Sequence, residues 1–147
     1  MDREGDKPIR KEVVTARDPA EAFRRFTAGM GDWWPLAAHS VAGGVSGGGV
    51  TFDERAIVER AADGAEHVWG RVQVWEPPER LVFSWHPGRD PATAQEIEVR
   101  FEPHGAGSRV TLEHRGWERY GEGAAAMHAQ YETGWDGVFV EGFGADQ

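Results

Sequence analysis

The stretch "QEIEVRFEP", residues 95–103, constrains the fold more than any other part of the chain. Ile97, Val99 and Phe101 alternate without a break with Glu96, Glu98, Arg100 and Glu102. A period of two with one apolar and one charged face describes a strand of an antiparallel sheet wetted on one side. The turn "HGAG" comes next, and "SRVTLEHRGW" repeats the alternation with Val110, Leu112 and His114 inward. Upstream, "RLVFSWHP" sets Leu81, Phe83 and Trp85 against Val82, Ser84 and His86. "AIVER" and "EHVWGRVQVWE" flank the turn "AADGA", and "IRKEVVTA" supplies a first strand near the N-terminus.

Two other periods interrupt the strands. In "RDPAEAFRRFTA", Asp18 can cap a helix with Pro19 at its first position, and Phe23 and Phe26 share a face. "GDWWP" reads as a second short helix or turn, and the Gly-rich "GGVSGGG" as a connection into "VTFDE". Residues 118–141 read as one long helix, with Met127, Tyr131, Trp135 and Val138/Phe139 along one stripe. Gly134 and Gly137 cost such a helix about 1 kcal/mol each relative to alanine, so it should bend or loosen there. The expected architecture is α+β: a curved antiparallel sheet wrapped around a long C-terminal helix, with two short helices after the first strand. Residues 1–147 are expected to form one domain, with a flexible lead-in over 1–8.

A net charge of −9 without a basic cluster speaks against nucleic acid and anionic membrane surfaces as partners. There is no cysteine, which removes disulfides, thiol catalysis and cysteine-held metal. "MDREGDKPIRKE" lacks an apolar signal core, and no apolar run reaches the roughly 18 residues of a membrane span. The expected location is the cytoplasm. Seven Trp and seven Phe against two Tyr is an aromatic load that suits either a core or the lining of an apolar pocket.

Motifs for catalysis are weak. "GVSGG" matches a nucleophile elbow at Ser46, but a glycine loop leading into a strand is the wrong context. His39, His67, His86, His104, His114 and His128 show no metal-ligand spacing, so no metal or cofactor is expected. His114 stands out because it falls on an inward, otherwise apolar strand face. Glu98 and Glu113 are expected to face solvent, and Glu59 and Glu118 to pair at the surface with Arg60 and Arg119.

"WWP…HS" (33–40), "WGRVQVWEPPERLVFSW" (69–85), "EIEVRFEPHGAGSRVTLEHRGWE" (96–118) and "GWD" (134–136) together resemble the group of activator-of-Hsp90-ATPase homologues. That group lies within the SRPBCC superfamily, also called START-like or birch-pollen-allergen-like. The resemblance runs from about residue 9 to 142. It implies a helix-grip fold enclosing a hydrophobic cavity, without cofactor or metal, and leaves function open.

The function expected from these observations is binding of a hydrophobic or aromatic small molecule between sheet and C-terminal helix. Phe83, Trp85, Val99, Phe101, Leu112, His114, Met127, Tyr131 and Trp135 would line the cavity, with Trp34, His39 and Ser40 at its entrance. His114, Tyr131 and Ser84 or His39 would orient the ligand. Of the adjacent Trp33 and Trp34, one is expected to pack under the short helices and the other, Trp34, to face the cleft. Two alternatives stand beside this: a co-chaperone-like or other protein-interaction module, with a homodimer or protein partner, and a cyclase- or hydratase-like enzyme using the same cavity.

Overall fold

The computed structural model describes residues 7–34, 49–61, 63–87, 91–119 and 123–145. Seven antiparallel strands form one sheet: β1 (Ile9–Thr15), β2 (Gly49–Phe52), β3 (Ala56–Arg60), β4 (Glu66–Glu76), β5 (Arg80–Trp85), β6 (Gln95–His104) and β7 (Gly107–Arg115). Their order is β1-β7-β6-β5-β4-β3-β2, so the last six form a meander and β1 adds to its far edge. Between β1 and β2 come α1 (Pro19–Phe26) and α2 (Met30–Trp33). The Asp18 carboxylate accepts from the Glu21 N–H at 2.8 Å, with Pro19 in the first turn, as the capping pattern requires.

Alternation decides which side chains each strand buries. The register aligns Leu81 with Val99, Val99 with Leu112, and Leu112 with Lys11, all on the face turned toward the C-terminal helix. Leu81, Phe83, Ile97, Val99, Phe101, Val110 and Leu112 are all buried there. Lys11 occupies an inward position too; its ammonium reaches Glu132 at 2.9 Å and Asp136 at 3.0 Å on the helix. Burial works against that charge, but the two carboxylates hold the lysine's pKa above its ordinary value.

The outward face carries a charge lattice. Glu98 is bound by Arg80 and Arg115, each at 2.7 Å, and by Arg100 at 2.9 Å, while Arg115 also reaches Glu96 at 2.6 Å. Glu98 keeps the outward parity expected of it, yet only 7% of it is exposed, because the guanidinium groups cover it. Burial alone would raise its pKa, but the hydrogen bonds from Arg80 and Arg115 hold it below the ordinary carboxylate value. Glu98→Gln is therefore expected to cost about 2 kcal/mol, more than an exposed ion pair would, because part-buried arginines lose their shared counter-ion. Urea unfolding at neutral pH reads this directly.

The sheet curls where β4 changes register, against β3 between Ile57 and Val58 and against β5 between Val72 and Val74. At Gly70 the two backbones press together so closely that a Cβ would lie 1.7 Å from the Ser84 carbonyl oxygen.

The C-terminal helix starts later than the stripe suggests. Residues Trp117–Arg119 form a separate 3-10 turn, and Gly123 adopts a left-handed φ of +86° that isolates it from α3 (Ala124–Trp135). After Trp135 the helix does not stop: Asp136–Gly142 is π-helical, followed by a 3-10 turn over Phe143–Ala145. The loosening expected at Gly134 and Gly137 thus takes the form of a wider turn. Trp135, Val138, Phe139 and Phe143 are buried against the sheet, whereas Met127 and Tyr131 are half-buried.

Candidate ligand-binding site

Adjacent side chains cannot share one direction, and the Trp33–Trp34 doublet uses this to serve two clusters. Trp33 packs on Phe26 and Phe143, with ring centroids 5.3 and 5.2 Å away, and its indole N–H donates to the Arg25 carbonyl at 2.7 Å. Trp34 turns the other way, to Trp69 at 5.0 Å, Trp85 at 5.9 Å and Trp135 at 6.2 Å. Trp85 in turn lies 5.8 Å from both Trp69 and Trp135. Four indoles, from the end of α2 and from β4, β5 and α3, thus meet between sheet and helix. Trp34 is not a rim residue, since only 9% of it is exposed.

Buried indoles need acceptors for their N–H groups. Trp85 donates to the Tyr131 hydroxyl oxygen at 2.9 Å, Trp135 to His114 Nδ1 at 3.1 Å, and Trp69 to Glu59 Oε1 at 3.1 Å. Because an indole only donates, His114 Nδ1 must accept, which leaves the ring proton on Nε2 to donate to Gln95 Oε1 at 3.2 Å. Gln95 is itself held, its amide donating to the Thr93 carbonyl at 2.6 Å, and Trp117 stacks on the imidazole at 4.3 Å. His114 is wholly buried, and burial, with a smaller contribution from His128, pushes its pKa down to about 3. It is a neutral ring with both nitrogens engaged, and it offers a ligand no free polar atom.

The other expected lining residues divide. Tyr131 joins the cluster, 5.0 Å from His114, and Met127 packs half-buried beside it. Val99 and Leu112 form a cross-strand pair on the floor. Phe83 connects the tryptophans to a second, phenylalanine cluster under α1, and Phe101 belongs to that second cluster, 5.1 Å from Phe23. Ser84 points away: its hydroxyl accepts the Arg71 N–H at 2.9 Å on the outward parity. His128 is buried against Trp117, with its Nε2 2.8 Å from the Lys7 carbonyl oxygen. His39 and Ser40 lie outside the described residues.

The expectation of a surface Glu59–Arg60 pair is overturned. Glu59 is 2% exposed and faces inward beside Trp69. The signal is present in "AIVER", since Glu59 shares its parity with Ile57, which is fully buried.

About 20 Å further along β4, an open cleft of about 580 Å³ lies between α1 and the β2–β3 and β4–β5 turns. Phe23, Phe52 and Trp75 line it together with Arg24, Asp53 and Glu54, and it shares no residue with the expected lining. Among the described residues, no group of three His, Cys, Asp or Glu side chains could hold a metal, and no helix is long and apolar enough to cross a membrane.

Comparison with known proteins accords with this architecture. The family model for "Activator of Hsp90 ATPase homolog 1-like protein" matches residues 17–143. Among solved structures, the anthrahydroquino-gamma-pyrone synthase Txn09, complexed with SUM, is 35% identical over 88% of this chain and 90% of its own, with a TM-score of 0.58. The self-sacrificing resistance protein CalC from Micromonospora echinospora is 25% identical over 97% of this chain and 94% of its own, with a TM-score of 0.66. An AHSA1-like protein from Aeromonas hydrophila shares the fold at 18% identity, covering 95% of this chain and 91% of its own, with a TM-score of 0.62. Comparison with curated proteins gives no match. On the strength of the family match and the curled sheet closed by a long C-terminal helix, the chain belongs to the activator of Hsp90 ATPase homolog 1-like family and has its helix-grip, α+β fold.

Proposed function

We propose that this protein binds a flat aromatic small molecule at the four-tryptophan cluster between sheet and C-terminal helix. The observation that carries this reading is the meeting of Trp34, Trp69, Trp85 and Trp135 at one place, with Tyr131 beside them. Indole faces separated by 5–6 Å from their neighbours present the offset and edge geometries that fused aromatic rings also favour. Three of the four sit on elements of six residues or more, whereas Trp34 caps the four-residue α2. Trp34 is therefore the ring that yields to admit a ligand. The relative at 35% identity supports the ligand class, since its name denotes a fused-ring aromatic product.

Titration with alizarin, a planar hydroxylated anthraquinone, tests this through tryptophan emission. A saturable quench is expected, and Trp34→Ala should weaken the affinity at least about tenfold by removing one stacking face. A quench that rises linearly without saturating, and equally in the variant, would defeat the reading. A second reading, an enzyme of the cyclase type acting on such a ligand in the same place, draws on the synthase relative. It calls for a change in product mass after incubation, which simple binding would not give.

A further inference from the structure

Trp75 is set apart from the other tryptophans by its hydrogen bonding. The indole N–H groups of Trp33, Trp69, Trp85, Trp117 and Trp135 donate to the Arg25 carbonyl, Glu59, the Tyr131 hydroxyl, the His114 carbonyl and His114 Nδ1. That of half-buried Trp75 meets no acceptor among the described residues. Its ring packs edge-on against Phe23, with centroids 5.1 Å apart, and lies 6.3 Å from Phe52. These three rings are the floor of the open cleft of about 580 Å³ between α1 and the strand turns. Phe23 rests in turn on Phe101 and Phe52 on Phe83, at 5.1 and 5.2 Å, so the floor is braced from the core side. An apolar floor in a cleft of several hundred Å³ suits a small molecule with an apolar body.

The walls determine which polar group that molecule should carry. On the α1 side, Arg24 is exposed between Ala20 and Ala28, and it forms no ion pair or hydrogen bond among the described residues. The Thr27 hydroxyl is already spent, donating to the Phe23 carbonyl at 2.8 Å. On the other side Pro77 and Pro78 have no N–H to give. The Asp53 carboxylate is taken up by its own turn, where it accepts the Arg55 and Ala56 N–H groups at 2.8 and 3.1 Å. The unspent donors of the cleft are thus the Arg24 guanidinium and the Trp75 indole, with Glu54 as an exposed carboxylate on the β2–β3 turn. We propose that this cleft is a second binding site, which takes an aromatic carboxylate: its rings stack on Trp75 and its carboxylate pairs with Arg24. The inference goes beyond the aromatic-ligand reading above and does not depend on it, because the cleft shares no residue with the tryptophan cluster. A guanidinium matches a carboxylate through two parallel N–H donors and stays charged at any working pH.

Proton–nitrogen correlation spectra of the labelled protein, titrated with 2-naphthoate, test it, because each tryptophan gives one indole N–H signal. The Trp75 signal is the one missing from Trp75→Phe, and it should shift saturably in the wild type. The wild type should bind 2-naphthoate about fivefold more tightly than 2-naphthamide, which has the same rings without the charge. The ammonium analogue, 2-naphthylmethylamine, should bind more weakly than 2-naphthoate. Arg24→Gln, an exposed change, should weaken 2-naphthoate about fivefold and leave 2-naphthamide within about twofold, so that the preference disappears. If Trp75→Phe does not fold, these preferences in the wild type and Arg24→Gln still decide. A Trp75 signal that stays put or drifts without saturating would overturn the proposal. So would amide binding as tight as that of the carboxylate, tighter binding of the ammonium, or an unchanged preference in Arg24→Gln. Shifts confined to the other indole signals would put the probe in the tryptophan cluster, which supports the reading above and overturns this one. The alizarin titration of Trp34→Ala decides that reading separately.

Discussion

His114→Ala is expected to destabilise the protein by about 4 kcal/mol, the sum of a buried cavity and two orphaned partners. The imidazole is wholly buried, stacked on Trp117, and joins β7 to α3 and β6 through Trp135 and Gln95. Removing it leaves the Trp135 N–H and the Gln95 carbonyl oxygen without their partner in a place that water does not readily reach. The same residue sets a pH dependence. Its pKa in the folded protein is about 3, below the 6.5 of an unperturbed histidine, so the unfolded chain takes up a proton that the folded one refuses. Stability is fully present above pH 6.5 and falls progressively as pH drops toward 3, by up to about 5 kcal/mol from this group. Glu98 acts in the same direction at the acid end, because its pKa is lowered and its contribution is lost as pH falls through the folded value. Urea midpoints of the wild type at pH 7, 6, 5 and 4 should decline steadily, and the decline between 6.5 and 5 should vanish in His114→Ala. A wild-type curve flat from pH 6.5 to 5, or a variant loss under about 1 kcal/mol, would contradict a buried neutral histidine.

Gly70→Ala is the second large effect. The added Cβ would stand 1.7 Å from the Ser84 carbonyl oxygen and 2.8 Å from the carbonyl carbon, and both are backbone atoms that no rotamer change can move. β4 and β5 would have to part just where the Arg71 N–H reaches the Ser84 hydroxyl and the His86 N–H reaches the Trp69 carbonyl. A loss of at least about 3 kcal/mol is expected, beyond ordinary overpacking because the strain falls on the ladder itself. Gly134→Ala is the control: nothing lies within 4 Å of its Cβ, so in a helix it should stabilise by up to about 1 kcal/mol. Melting temperatures of the two variants moving together, in either direction, would show that the close approach at Gly70 is not the limit on substitution there.

The contrast between these glycines shows which parts of the chain announce themselves. Strand identity and facing are legible in β5, β6 and β7, because "RLVFSW", "QEIEVRFEP" and "SRVTLEH" each alternate over enough residues to separate the two faces. The unwinding near Gly134 and Gly137 is legible as a weakness in helix propensity, although not as a π-helix, since that choice depends on Phe139 and Phe143 meeting the sheet and α1. The need for glycine at position 70 is not legible, because it arises from a register shift between strands that local sequence does not encode. Nor are the partners of His114, which lie 19 and 21 residues away on other elements. Glu59 escapes for a different reason. In a five-residue strand ending in Arg60, the usual surface habit of a charged residue outweighs a parity that points inward.

The π-helical stretch Asp136–Gly142 has a consequence in the arithmetic of chain length. A π-turn holds about one residue more than an α-turn, so this segment stores a surplus that fixes the rotational setting of Phe143. The Phe143 N–H answers the carbonyls of both Val138 and Phe139, a bifurcated bond that marks the return to tighter winding. Deleting one residue here would let the helix close to ordinary α geometry with little change downstream, whereas winding the full-length segment as an ordinary α-helix would turn everything downstream by about 100°. Phe143 would then swing off Phe26 and Trp33, which it now meets at 5.4 and 5.2 Å. The length of the helix between Trp135 and Phe143 is thus a spacer between the two aromatic clusters, and the Trp33–Trp34 doublet, with one ring in each, is cut to the same measure.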